Sequence, residues 1–363
     1  MLKEGEVRIP AGCAISGVFS KTGNSISGGE IVSSISTMHD RSNGLGGGFA
    51  AYGIYPELRD CFAFHLFYDS DTAKCACETE LKSFFTVEDE GPIPTRKVPG
   101  IGPEPIIWRY FVKPRPEKME SLKMDEQEYV VRFVIRINRD IDGAYIFSSG
   151  KNMGVFKAVG FPEDVGEFYK LESYQGYSWT AHGRYPTNTP GWWGGAHPFA
   201  LGQYTIVHNG EISSYDANRR FIEMFGYHCS LLTDTEFITY VFDYLNRVQG
   251  LSLQDISLII AAPFWKEIDR MPEKEKSKLY YLRNMFASLL ITGPFSIILG
   301  FEGGIMALND RLKLRSMVVG EKDDRLYIAS EECAIRTLAP QLDKFYAAQG
   351  GIPIIARLKE GAN

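Results

Sequence analysis

The stretch YSWTAHGRYPTNTPGWWGGAHPFALGQYTIVHNGEI, from Tyr177 to Ile212, carries more chemistry-bearing residues than any other part of the chain. Its pieces have plain readings when taken singly. Arg184 lies between a strand and a proline-bearing turn, the place of a surface ion-pair residue. Asn209-Gly210 follows the strand QYTIV, and Asn-Gly is a strong tight-turn signal. Just downstream, SLLTDTEF reads as a capping box, Thr233-x-x-Glu236, with Asp234 favourable at the positive end of a helix.

Working outward, Cys13 to Ser20 is small and apolar, as a buried strand is. GGEIVSSISTMHDRSNG places Ile31, Val32, Ile35 and Met38 on one helical face and stops at Asn43-Gly44. LGGGFAAYGIY and CFAFHLFY read as strands, the second with period-two alternation. DTAKCACETELKSFF is helix-like and leads into a Pro/Gly-rich, charged loop reaching about Arg115, a surface elaboration. EYVVRFVIRIN reads as a strand, AYIFSSGKNMGVFKAVG as a hairpin and PEDVGEFYKL as a short helix. Beyond the central stretch come amphipathic helices, SYDANRRFIEMFG and TDTEFITYVFDYLNRVQG, with more helix to about Leu290. The tail returns to strands at FSIILGF, GIMALN, RSMVVG and RLYIAS, with a short helix at Glu331 to Leu338. Strands, helices, then strands do not alternate as β-α-β-α, which argues for α+β with antiparallel sheet.

The chain has 363 residues, with 39 Lys+Arg against 45 Asp+Glu and a net charge of −6. No basic run offers phosphate a clustered positive patch, which argues against a nucleic-acid partner. The longest apolar stretch, Met285 to Phe301, is broken by Thr292-Gly293-Pro294 and reads as helix end, turn and buried strand, not a membrane span. The six cysteines, Cys13, Cys61, Cys75, Cys77, Cys229 and Cys333, form no tight disulfide framework, and a cytoplasmic setting is expected. GLGGGFAAYG has the wrong spacing for a dinucleotide fingerprint, and no Walker-type Gly-Lys-Ser/Thr follows a strand. In the leader MLKEGEVRIPAG, Lys3, Glu4, Glu6 and Arg8 interrupt any signal-peptide apolar segment.

In this order the pieces resemble a class II (N-terminal nucleophile) glutamine amidotransferase, most closely the amidotransferase domain of glutamate synthase. The resemblance rests on His182 to Thr189, Trp192/Trp193, Ala196-His197-Pro198, His208 to Ile212 and Thr233 to Glu236. LITGPFSIILG, NDRLKLRSMVVG and IASEECAI are similar to later segments of that domain. Two departures are Ser316, where the family usually has proline, and the Cys75-x-Cys77 insertion. The resemblance implies a four-layer αββα sandwich and removal of residues 1–12, leaving residues 13–363 as the amidotransferase domain.

It also implies a chemistry. A cysteine thiol near neutral pH needs a base to become a good nucleophile. An N-terminal residue supplies its own, because a free α-amine titrates near ~8. While Gly12 is attached, that nitrogen is an amide; cleavage at Ala11-Gly12 would switch Cys13 on. The resemblance gives the Asn209 side chain and the Gly210 N–H to an oxyanion hole, with Arg41 an arginine near the nucleophile. Arg184 would hold the glutamine α-carboxylate through its fork. Asp234 would take the α-ammonium, and Thr187 and His208 would complete the glutamine site.

No cofactor is expected on this chain, whose end near Asn363 shows no obvious acceptor domain. The expected partner is a separate synthase subunit carrying FMN and iron–sulfur centres and making glutamate from 2-oxoglutarate. Two other readings stay open: an amidotransferase or amide hydrolase serving another acceptor or amide, and a non-catalytic glutamine sensor. Cys75 and Cys77 lack further ligands for a metal. His39, His65 and His228 read as structural. Asp323-Asp324 is flanked by Lys322 and Arg325 rather than by an apolar strand, so it does not read as a phosphoribosyl-pyrophosphate site.

Overall fold

The structure, a computed structural model, describes residues 12–185, 191–231, 233–359 and 361. At its centre two antiparallel sheets lie face to face. The larger runs in the order Lys344–Ala347, Val318–Lys322, Arg325–Ala329, Ala14–Ser20, Ser178–Gly183, Gly47–Tyr52, Met153–Ala158. The smaller runs Phe199–Leu201, Tyr204–Gly210, Phe295–Phe301, Gly304–Asn309, Ile354–Arg357.

Strand residues alternate between faces, and the composition of each face decides what it meets. In Ala14–Ser20, Ile15 and Phe19 point inward and pack with Val207, Ile298 and Ile305 of the smaller sheet. Ala14 and Val18 point the other way, into a cluster with Ile31, Ile35, Val165 and Ile335. Those residues belong to helices Gly28–Ser36, Pro162–Phe168 and Glu332–Leu338, which cover the larger sheet. On the smaller sheet, Ile297 and Leu299 face outward to Phe237, Val241 and Ile256 of helices Asp234–Phe242 and Leu253–Ile260. Helix, sheet, sheet, helix: the four-layer α+β sandwich is the architecture of this chain.

A third sheet stands beside the sandwich, in the order Phe85–Pro92, Ile106–Pro114, Phe62–Tyr68, Ala144–Ser148. Three readings of the sequence are corrected here. The segment expected to be a charged loop contains two of these strands. EYVVRFVIRIN is not a strand but the core of helix Glu126–Asp140. Its β-branched composition suits a strand, yet Tyr129, Val130, Phe133, Val134 and Ile137 recur at helical spacing and are all buried. Asp125 caps the helix, its carboxylate accepting from the Glu128 N–H at 2.8 Å. The expected hairpin also fails: Ala144–Ser148 pairs with Phe62–Tyr68 in the lateral sheet, whereas Met153–Ala158 pairs with Gly47–Tyr52 in the sandwich. CFAFHLFY does alternate, but both of its faces are buried. The strands Lys344–Ala347 and Ile354–Arg357 carried no expectation.

Candidate active site

The site lies where strands Ala14–Ser20, Ser178–Gly183 and Tyr204–Gly210 end close together. Ala14 pairs with Gly183, so the residues just beyond, Cys13 and Arg184, are brought side by side. The Cys13 Sγ accepts a hydrogen bond from the Tyr185 N–H at 3.2 Å. Burial raises the thiol above its ordinary value. The Tyr185 N–H and the guanidinium groups of Arg184 and Arg315 act in the opposite direction without cancelling it. A thiol held up in this way needs a base to become a thiolate.

Arg41 reaches the same residue from the short helical turn His39–Arg41. Its Nε donates to the Cys13 carbonyl at 3.2 Å, and its terminal nitrogen pairs with Glu331 at 2.9 Å. Arg184 is 4% exposed, which removes the surface ion-pair reading. Its backbone N–H donates to the Gly46 carbonyl at 2.8 Å and its guanidinium to the Leu45 carbonyl at 3.4 Å. The glycine run Gly46–Gly48 serves this packing. A Cβ on Gly46 would lie 3.0 Å from Arg184 Cδ, and one on Gly48 would lie 2.2 Å from the His197 carbonyl oxygen.

Asn209 and Gly210 are not a hairpin turn. They are the last residues of strand Tyr204–Gly210, paired in register with Ser296 and Phe295. A Cβ on Gly210 would lie 2.2 Å from the Pro294 carbonyl oxygen, so only glycine fits there. Asn209 is fully buried, yet among the described residues neither its Nδ2 nor its Oδ1 has a hydrogen-bond partner. Buried amides are almost always paired, so such an atom calls for an explanation. The side chain lies next to Gly12, the residue before Cys13: a Cβ on Gly12 would lie 3.3 Å from Asn209 Oδ1 and 3.1 Å from an Arg315 terminal nitrogen.

Asp234 is the first residue of helix Asp234–Phe242. Its Oδ2 accepts from the Ile212 N–H at 3.2 Å, and its Oδ1 lies 3.4 Å from His208 Nδ1. Burial raises its carboxyl, but His208, the Ile212 N–H and the Thr235 hydroxyl outweigh it, and the net displacement is downward. The expected capping box does not form. Thr233 makes no side-chain cap, and the Glu236 carboxylate accepts instead from the Ser230 and Leu231 N–H groups and the Tyr240 hydroxyl.

The structure thus gathers Cys13, Arg41, Arg184, His208, Asn209, Gly210 and Asp234. Thr187 lies outside the described residues. Four neighbours had drawn no role from the sequence: His182, His197, Thr235 and Arg315. Elsewhere, Cys77 is buried and Cys75 exposed on one helix. Among the described residues no three His, Cys, Asp or Glu side chains are arranged to hold a metal ion. Asp324 accepts from Ser20 and Thr22 hydroxyls, a structural use. No helix among the described residues is long and apolar enough to cross a membrane.

The model of the family described as glutamine amidotransferases class-II matches residues 96–344. An uncharacterized protein of Archaeoglobus fulgidus is 49% identical over 350 residues, covering 96% of this chain and 92% of that one. An amidophosphoribosyltransferase of Methanocaldococcus jannaschii is 26% identical over 230 residues, 62% of this chain and 43% of that protein. Among solved structures, the glutamine phosphoribosylpyrophosphate amidotransferase of B. subtilis aligns with a TM-score of 0.48 at 13% identity, over 95% of this chain and 47% of that one. The chain therefore spans less than half the length of both named amidotransferases.

Proposed function

The chain belongs to the class-II glutamine amidotransferases, and we propose that its site releases ammonia from the side-chain amide of L-glutamine through a thioester on Cys13. The observation that carries this reading is the buried Asn209 amide next to Gly12, without a hydrogen-bond partner among the described residues.

Once residues 1–12 are removed, the Cys13 α-amine takes the thiol proton, and Sγ attacks the amide carbon. The carbonyl oxygen becomes negative and receives hydrogen bonds from Asn209 Nδ2 and the Gly210 N–H, donors already fixed by the strand. The protonated amine gives its proton to the leaving nitrogen, and ammonia departs. Water, activated by the same amine, releases glutamate and restores the thiol. Arg184 holds the substrate carboxylate and Asp234 its ammonium, with His208 supporting Asp234. Arg41 fixes the Cys13 carbonyl so that the amine and thiol stay together.

The ammonia passes to a separate synthase subunit that carries FMN and iron–sulfur centres and makes glutamate from 2-oxoglutarate in the cytoplasm. The support for this acceptor is the likeness of HGRYPTNT, HNGEI and the later segments to the amidotransferase domain of glutamate synthase.

Asn209→Ala tests the site. Because the side chain has no partner to lose among the described residues, stability should hold. Turnover should fall by roughly 10²–10³-fold, the usual effect of removing one oxyanion donor. Glutamine affinity should change far less, since the charge exists only in the transition state. A folded variant with near-normal turnover overturns the reading.

A further inference from the structure

Beneath the carboxylate of Asp234 lies a buried set of three histidines and a threonine, of which the proposed chemistry uses His208 alone. His182 and His208 come from adjacent layers, on strands Ser178–Gly183 and Tyr204–Gly210. His197 lies before strand Phe199–Leu201, and Thr235 follows Asp234 in its helix. Thr235 and His182 are fully buried, and His197 and His208 nearly so. The His182 and His197 rings lie 4.0 Å apart, centroid to centroid.

Counting hydrogens gives the set a direction. Asp234 is displaced toward its carboxylate form, which can only accept. The single hydroxyl hydrogen of Thr235 therefore goes to Asp234 Oδ1, at 3.2 Å. The threonine oxygen is left with two lone pairs and has two nitrogen neighbours, His197 Nε2 at 2.6 Å and His208 Nδ1 at 3.1 Å. Both nitrogens must carry hydrogen and donate. His182 Nε2 in turn donates to the His208 carbonyl oxygen at 3.0 Å. Burial keeps His182 and His197 well below the ordinary imidazole value, hence neutral, with each Nδ1 a bare acceptor. Among the described residues neither Nδ1 has a partner.

We infer that Thr235, gripped by His197 and His208, is a positioning residue that fixes the Asp234 carboxylate relative to Asn209 during glutamine binding. The inference rests on the reading that Asp234 takes the substrate ammonium. The logic is geometric. His208 immediately precedes Asn209, so one hydrogen-bonded set ties the strand bearing the oxyanion donor to the helix bearing the ammonium acceptor. A hydroxyl with one hydrogen and two enforced donors cannot rotate, so the carboxylate it binds is held in one orientation.

The experiment compares steady-state glutamine hydrolysis by the mature full chain with its Thr235→Val, Thr235→Ser and Asp234→Asn variants. Thr235→Val keeps the shape and deletes the hydrogen bond. It should raise KM roughly tenfold, the scale of one hydrogen bond to a charged group, with a much smaller change in kcat. Thr235→Ser should restore most of the affinity, which a packing role for the methyl group would not allow. If Asp234→Asn raises KM but Thr235→Val does not, the positioning role is overturned and the site reading stands. If Asp234→Asn leaves KM unchanged, the ammonium assignment fails first. Nitrogen-15 histidine spectra of the unaltered protein decide the matter should Thr235→Val not fold. The set requires hydrogen on His197 Nε2 and His208 Nδ1; His197 protonated at Nδ1 instead overturns it.

Discussion

The sandwich seam and the lateral sheet are both buried antiparallel structure, but they use burial differently. In the lateral sheet, rings fill the space: Phe133 of helix Glu126–Asp140 packs on Phe64, Phe84 and Phe85 at centroid distances of 6.1, 5.5 and 4.8 Å. Two of its buried hydroxyls are chained to a carboxylate, Tyr68 to Tyr110 to Glu78, although Trp108 Nε1, Arg109 Nε and Ser148 Oγ on its strands have no partner among the described residues. In the seam, Asn209, His208 Nε2, His182 Nδ1 and His197 Nδ1 crowd around one strand end without partners among the described residues. An unpaired buried polar atom costs stability. A site that gathers several of them is built for something other than holding the fold together.

The contrast separates two kinds of damage. Phe133→Ala should cost about 3–5 kcal/mol of stability by opening a cavity in the lateral core. The folded fraction should keep its kcat and KM for glutamine, as measured by denaturant unfolding alongside active-site-normalised kinetics. A large loss of turnover per folded molecule would break the separation.

A smaller effect tests a paired group of a helix that covers the smaller sheet. Burial pushes Glu236 up to about 7 despite the donors around it. The native chain therefore holds a proton that the unfolded chain releases near 4.5. More protons are bound in the native state between those values, so this contribution to stability falls as pH rises from about 4.5 to about 7. Glu236→Gln should flatten that part of the stability–pH curve. An identical slope in both proteins would remove Glu236 as its source.

Much of this was legible in the sequence, for reasons that can be stated. The strands at Cys13, Gly47, Tyr204 and Phe295 are short and apolar and bounded by glycine or turn residues. His182 to Ile212 carries its chemistry in one contiguous run. Helix Glu126–Asp140 was hidden by Val130, Val131, Val134 and Ile135, whose β-branched side chains suggest a strand, although Asp125 with Glu126 and Glu128 already marked a helix start. The false hairpin failed because each half pairs with a strand far earlier in the chain. The histidine–threonine set was invisible for the same reason. His182, His197, His208 and Thr235 meet only through sheet register and a helix laid across it, and no local spacing encodes that.

The account's central claim is that Cys13 acts as an N-terminal nucleophile. Intact-mass measurement joined to glutaminase assay tests it most directly, on fractions that retain residues 1–12 and fractions that begin at Cys13. Only chains beginning at Cys13 should turn over glutamine, and a glutamine-like alkylating analogue should label that residue and none of the other five cysteines. Full-rate hydrolysis by a chain that still carries residues 1–12 would contradict the account, because its Cys13 nitrogen is an amide with no basic lone pair to offer.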